Sequence, residues 1–354
     1  MMVFALGIIN SQAIAKNAKN ADATRAQPIT TALPQFHELN RLAIGGEGGW
    51  DYLTVDSAAR RLYIARANRV LVINIDSGSV DGEVTGLDGA HGVALVTEQQ
   101  RGFATSGRAG EVIAFDMKTL KTIGKIKSGD NPDAIIFDRY SKRILAFNGK
   151  SHDVTAVDPL SLKVLGNLAL GGKPEFAASD AQGHVFVNIE DTNELVTFDP
   201  KGLKVLARHS LKSCEEPTGL SMNAQANRLL VGCGNKMALI VEAGSGKILQ
   251  PFKVGAGVDA TAFDSNHKLA FVSAGEGLLS VLKEDPKGFQ VAQELRTIQG
   301  ARTLAVDEKT GHVFLPFAEF APTEAASAKA NGGHQRPSMI PGTFGVLIIG
   351  TDRQ

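Results

Sequence analysis

Seven positions spaced 41 to 43 residues apart concentrate the polar chemistry of this chain: Asp51, Gly92 with His91 beside it, Asp133, Glu175, Thr218, Asp259 and Arg302. If they share one opening, four carboxylates, a guanidinium and an imidazole surround it. At about 8 Å and an effective dielectric near 20, each carboxylate pair repels by roughly 2 kcal/mol, more than Arg302 alone offsets. Such a ring favours a bound cation, ordered water or raised carboxylate pKa values. The sharper expectation is a divalent cation, Ca²⁺ or Mg²⁺, on Asp51, Asp133, Glu175 and Asp259, because hard ions take oxygen ligands. The plainer one is a water-filled channel whose solvated carboxylates cap nearby backbone. On the sharper expectation the chain is a metal-dependent hydrolase of the lactonase or esterase type, with His91 or Arg302 assisting at the opened ester.

The elements that position these residues are legible from two recurrent marks. The first is an apolar or small residue followed by a polar one, then a short polar turn. It occurs at Val55-Asp56, Val96-Thr97, Phe137-Asp138, Ser179-Asp180, Met222-Asn223, Phe263-Asp264 and Val306-Asp307. The second is an acidic residue opening a turn before a lysine, as at Asp116, Asp158, Asp199 and Glu242. Between the marks lie short apolar runs bounded by Gly, Pro, Asn and Asp, with no helical spacing. Seven such units of four strands each are expected to form a seven-bladed β-propeller. Strand a lies at the pore and strand d outermost.

The last unit supplies strand a (301–306), strand b (312–317) and strand c (343–350), one strand short. Residues 36–44 resemble a strand d and are expected to complete that blade, which removes free sheet edges. Residues 36–354 then form one propeller. The d-to-a and b-to-c loops share one face, so Asn68, Arg108, Asn148, Lys150, Glu190, Asp191, Asn235, Glu276 and Glu319 are expected around the pore mouth. Among these, Asn148, Glu190, Asn235 and Glu276 are taken as ligand-binding candidates together with the seven ring positions. Prolines 132, 174 and 217 precede three ring positions and fix the direction in which strand a begins. The long loop from about 318 to 341 is either a lid or disordered.

Cys214 and Cys233 fall on that same face. They are either a disulfide, stabilising by about 3 kcal/mol, or two buried thiols. Residues 1–15 read as a secretory signal with a small-x-small pattern at Ala13 to Ala15, and residues 16–35 as a disordered lead-in. Export to the periplasm or the medium follows. With 37 basic and 37 acidic residues the net charge is zero, which gives no support for nucleic acid or an anionic membrane. No later stretch is long enough to span a bilayer. The Gly244–Lys247 segment lacks the spacing of a phosphate loop, and no Cys-x-x-Cys-His, His-Glu-x-x-His or Gly-x-Ser-x-Gly pattern occurs. His184, His267 and His312 sit at a–b turns on the opposite face. Catalysis therefore has no motif behind it, and a monomeric binding module for a protein, peptide or small molecule is the leading expectation.

The segments Leu62–Asn68, Val185–Asn188 and Leu229–Asn235 look like degenerate copies of a Tyr-Val-Thr-Asn strand motif. Ile113–Asp116, Thr155–Asp158 and Val196–Asp199 resemble its companion strand. With the blocks ending at Ala134, Phe176, Gly219 and Thr303, the chain from about residue 36 onward is similar to bacterial YVTN-repeat (YncE-like) propellers. That resemblance implies a propeller fold and an exported protein, with binding roles in some members. It transfers no haem ligand to any residue of this chain.

Overall fold

In the computed structural model, described here for residues 35–286, 288–321 and 338–352, twenty-eight strands form seven antiparallel sheets of four. Numbered in chain order, the first blade contains β2 (Trp50–Asp56), β3 (Arg61–Arg66), β4 (Arg69–Asn74) and β5 (Val80–Thr85), paired in that order. The innermost strands of the next five blades are β6 (Ala90–Val96), β10 (Pro132–Asp138), β14 (Pro174–Ser179), β18 (Pro217–Asn223) and β22 (Val258–Asp264). Each packs on the innermost strand of the next blade. The seventh blade is β26 (Ala305–Asp307), β27 (His312–Phe317), β28 (Gly345–Gly350) and, from the other end of the chain, β1 (His37–Ala43).

The burial pattern explains the composition of each strand. Middle strands are covered on both faces by neighbouring blades, so β3 and β4 are almost continuously buried. The outer strand β5 is mostly exposed and polar. Between blades, apolar clusters of Val, Leu, Ile and Phe form the core.

The two sequence marks are turn caps. In the a–b turns the carboxylate or amide oxygen accepts backbone N–H groups two to four residues on, as Asp56 does from Ala58 and Ala59, Asp138 from Ser141, Asn223 from Ala226 and Asp264 from His267. In the c–d turns Asn74, Asp116 and Asp158 do the same. Blade two departs from the pattern, with Thr97 opening a 3₁₀ turn, Thr97–Gln99. Asp and Asn recur at these places because a short side chain can close an Asx turn that the backbone cannot close alone.

Ring closure follows the expected route. β1 pairs antiparallel with β28, from His37 opposite Gly350 to Ala43 opposite Gly345. The chain then passes to blade one over Arg66, which is only 1% exposed. Its guanidinium donates to the carbonyls of Gly45, Glu47 and Gly48 at 3.0, 3.0 and 2.8 Å and lies 3.7 Å from the centre of the Phe344 ring. Burial and the neighbouring Arg69 charge pull its pKa down to about 10. One clasp thus joins the first and last blades.

Two expected boundaries shift. Strand a of the last blade begins at Ala305 rather than 301. Thr303 instead donates its hydroxyl across the seam to the Asp51 carbonyl at 3.0 Å, so this stretch serves blade one rather than pairing with β27. Strand c begins at Gly345, because Thr343 is held in a turn by the Ile340 carbonyl. Cys214 and Cys233 form a disulfide. The expected signal and almost all of the lead-in lie outside the described residues. So do residues 322–337 of the long loop, whose base is closed by a bridge between Phe320 and Met339. No described helix is long and apolar enough to cross a membrane.

Candidate functional site at the channel mouth

All six innermost strands from β2 to β22 lose register one residue after they begin: in five of them two residues face one of the partner, and in β22 the single residue Asp259 is inserted. A bulge re-aims the side chain it contains. The bulged residues include Asp51, His91, Asp133, Glu175, Thr218 and Asp259, so the backbone irregularity and the polar ring coincide. Pro132, Pro174 and Pro217 are the first residues of their strands, where a missing N–H breaks no ladder bond. Hydroxyls of adjacent blades hold the backbone of the ring. Thr105 donates to the Asp133 carbonyl at 2.7 Å, Ser273 to that of Arg302 at 2.5 Å, and Thr218 to that of Val258 at 2.7 Å.

The ring encloses a chamber of about 290 Å³ lined by Asp51, Tyr52, Asp133, Lys173, Glu175, Glu190, Thr218, Asp259 and Arg302, among others. Its charges are grouped in pairs. Arg302 Nε lies 2.5 Å from Asp259 Oδ2, and its Nη2 lies 3.6 Å from Asp51 Oδ1. Lys173 Nζ lies 2.7 Å from Glu175 Oε1 and also contacts Glu190. His91 Nδ1 is bonded to Asp51 Oδ2 at 2.7 Å and lies 3.7 Å from Asp133 Oδ1. One ligand atom each from Asp51, His91 and Asp133 can be chosen so that all lie within 4.8 Å of one another.

Of the four carboxylates expected as a metal set, the structure therefore groups only Asp51 and Asp133, with His91 as the third member. Glu175 and Asp259 are engaged by Lys173 and Arg302. Glu190 lines the chamber as expected. Asn148 does not: it is fully buried, donates to Asp153 and Thr155 at 2.9 Å each, and accepts from Ser128 at 2.7 Å. Its amide satisfies side chains of its own blade and of the loop that leads into it. Asn235 donates to the Ser213 carbonyl next to the disulfide, and Glu276 lies over Gly255; neither lines the chamber.

Two residues were not foreseen. Lys173 is the second cation of the chamber; its signal was the Lys173-Pro174-Glu175 triplet, where the lysine lies two residues from a ring carboxylate. Tyr52 was hidden because it neighbours Asp51 on a strand, where successive residues ordinarily face opposite ways. The bulge removes that alternation. Its ring meets Phe176 with centroids 4.6 Å apart. Phe176 in turn lines a second cavity of about 500 Å³ at the other end of the channel, with Val55, Val93, Leu95, Ile136 and Phe137. The Tyr52–Phe176 pair is thus the partition between an upper and a lower chamber.

Burial and crowding shift the upper groups. Asp133 is pushed up to about 7 by burial and then by the Asp51 charge, with His91 acting against the rise. Glu175 is pushed up to about 8 by burial and by Asp133, against the pull of Lys173. For His91, burial would lower the pKa, but the Asp51 hydrogen bond and the charges of Asp133 and Asp51 raise it overall. Tyr52 is raised well above its ordinary value, first by burial and then by Asp259, Glu175, Asp51 and Asp133, so its hydroxyl stays protonated. Lys173 and Arg302 are raised by their carboxylate partners despite desolvation. Chemically, the chamber can receive positive charge, donate or accept protons near neutrality, and grip a polar group from several sides.

No family model and no curated protein matches the chain. Among solved structures, a chain of hydrazine synthase from Kuenenia stuttgartiensis aligns with TM-score 0.66 and 12% identity over 77% of this chain and 94% of that one. A chain of a mitotic checkpoint complex aligns with TM-score 0.68 and 14% identity over 88% of this chain and 95% of that one. At such identities the likeness establishes the propeller fold alone.

Proposed function

We propose that the chain is an exported binding module that takes a positively charged group of a small molecule, peptide or protein at the upper mouth of its channel. The observation that carries this reading is the excess of acid in the upper chamber. Five carboxylates (Asp51, Asp133, Glu175, Glu190 and Asp259) line it with two permanent cations, Lys173 and Arg302. Burying like charges is unfavourable unless a partner compensates them, and a cationic ligand is such a partner. The Cys214–Cys233 disulfide supports an oxidising compartment, where such bonds persist, and the resemblance to YVTN-repeat propellers adds to it. The test is a thermal-shift screen of the oxidised chain against cationic, neutral and anionic small molecules, with Asp133→Asn as the control. Stabilisation confined to cations and lost in the variant supports the reading; stabilisation by anions alone overturns it.

A second reading rests on the Asp51–His91–Asp133 group. Their ligand atoms are close enough for one divalent ion, which when bound would polarise an ester carbonyl or activate water. These residues would hold the ion, while Arg302 and Lys173 stand in the same chamber to steady a developing oxyanion. Melting after chelation and then with Ca²⁺, Mg²⁺, Mn²⁺ or Zn²⁺ tests it. A saturable rise lost in Asp133→Ala, followed by lactone or ester turnover, supports a hydrolase; no rise with any ion removes it.

A further inference from the structure

We infer that the group recognised in the upper chamber is a primary ammonium, carried by an alkylamine or a lysine side chain, and seated on Asp133, Asp51 and the Tyr52 hydroxyl. This inference rests on reading the chamber as the ligand site and narrows the class of ligand.

Three hydrogen-bonding groups on the chamber wall, one on a buried residue and two partly exposed, have bonding capacity to spare. Tyr52 is only 5% exposed, yet its hydroxyl has no hydrogen-bond partner among the described residues, although it lines the chamber. Asp133 has no hydrogen-bond donor for its carboxylate among those residues, the nearest cationic nitrogen being His91 Nδ1 at 3.7 Å. Asp51 uses Oδ2 on His91, but Oδ1 has only Arg302 Nη2 at 3.6 Å. All three open on the same chamber, where a ligand that brings donors can complete them.

A primary ammonium offers three N–H donors and no acceptor, which matches three acceptor oxygens. One carboxylate oxygen of Asp51 and one of Asp133 lie within 4.8 Å of one another. A nitrogen bonded to two oxygens at about 2.9 Å each can bridge up to about 5.8 Å, so one ammonium spans them. The chamber already shows such a seat on its other side, where the Lys173 ammonium is held between Glu175 and Glu190. On the Asp133 side the carboxylates face His91 and no lysine.

A divalent ion fits these same observations less well. It would draw on His91, whose Nδ1 is committed to Asp51 at 2.7 Å. It would also leave the Tyr52 hydroxyl out, because a protonated phenol is not among the oxygen donors that hard cations select. A quaternary ammonium carries the charge but no donors, which makes it the discriminating probe.

The experiment is calorimetric titration of the oxidised chain at pH 8 after chelation. The probes are n-butylammonium, tetramethylammonium, an acetylated and amidated Ala-Lys-Ala peptide, and Ca²⁺ or Mn²⁺. Expected is saturable binding of n-butylammonium at least tenfold tighter than tetramethylammonium. Asp133→Asn should weaken it at least tenfold, and Tyr52→Phe, which keeps the ring against Phe176, about threefold or more. Tm measurements confirm that both variants fold. Peptide binding of similar strength assigns the site to lysine side chains; butylammonium binding without it assigns the site to small amines, and both outcomes support the inference. Equal affinity for tetramethylammonium, or divalent binding without amine binding, overturns the ammonium while leaving the chamber as a cation site. No binding of any probe overturns both.

Discussion

The two ends of the channel share the innermost strands β2, β10 and β14 and differ in chemistry. The upper chamber is lined by five carboxylates, a lysine, an arginine and a tyrosine. The lower one, larger at about 500 Å³, is walled mainly by half-buried apolar side chains such as Val55, Leu95, Ile136 and Phe137. A propeller closes equally well over either lining, so the fold does not require the acidic ring. Holding it is unfavourable, as the raised Asp133 and Glu175 show. An arrangement that opposes stability at one end and is absent from the other is where function is to be sought.

The largest expected effect concerns pH. The folded-state pKa values of Asp133, about 7, and Glu175, about 8, exceed those of an unfolded chain. The folded state therefore holds more protons across the window from about pH 4 to pH 8. Stability falls as pH rises through that window and levels off above it. His91, also raised, acts in the same direction. Urea titrations between pH 4 and 9 should show this slope, and Asp133→Asn should flatten it and raise stability at pH 8. A Leu95→Asn change in the lower chamber should leave the slope as it was.

Next in size is the partition. Phe176→Ala removes the ring that meets Tyr52 and should cost about 3 kcal/mol by chemical denaturation, as for other large-to-small core changes. With the chambers joined, cation affinity should fall as well. Unchanged affinity would show that the upper chamber works without its floor. Asn148→Ala should cost about 2 kcal/mol, because it strands buried partners, and leave cation binding within twofold. A larger change in binding would return Asn148 to the pocket wall. Smallest is Leu95→Asn itself, expected at about 1 kcal/mol from lost apolar burial, with no effect on binding.

How much of this was legible in the sequence divides along similar lines. The seven blades and the closing strand were readable because Asp56, Asp138, Asp264 and their equivalents cap turns that recur once per blade. The ring positions were readable because they keep that period. Lys173 and Tyr52 were not, since both lie off the repeating position and reach the chamber only through proline-led strand starts and bulges. Asn148 looked like a loop residue facing the ligand, yet a strand-end amide turned inward satisfies its own blade. The pairing of Glu175 with Lys173 and Asp259 with Arg302 depends on side-chain direction, which spacing does not specify.

The most direct test of the upper chamber as the ligand site is the proton balance on cation binding, measured near pH 7 by calorimetry in buffers of different ionisation enthalpy. Binding beside Asp133 and Glu175 must favour their ionised forms, so net proton release near pH 7 is expected, declining by pH 9 and much reduced in Asp133→Asn. Saturable cation binding with no proton release at pH 7, or release unchanged in the variant, would place the ligand elsewhere and contradict the account.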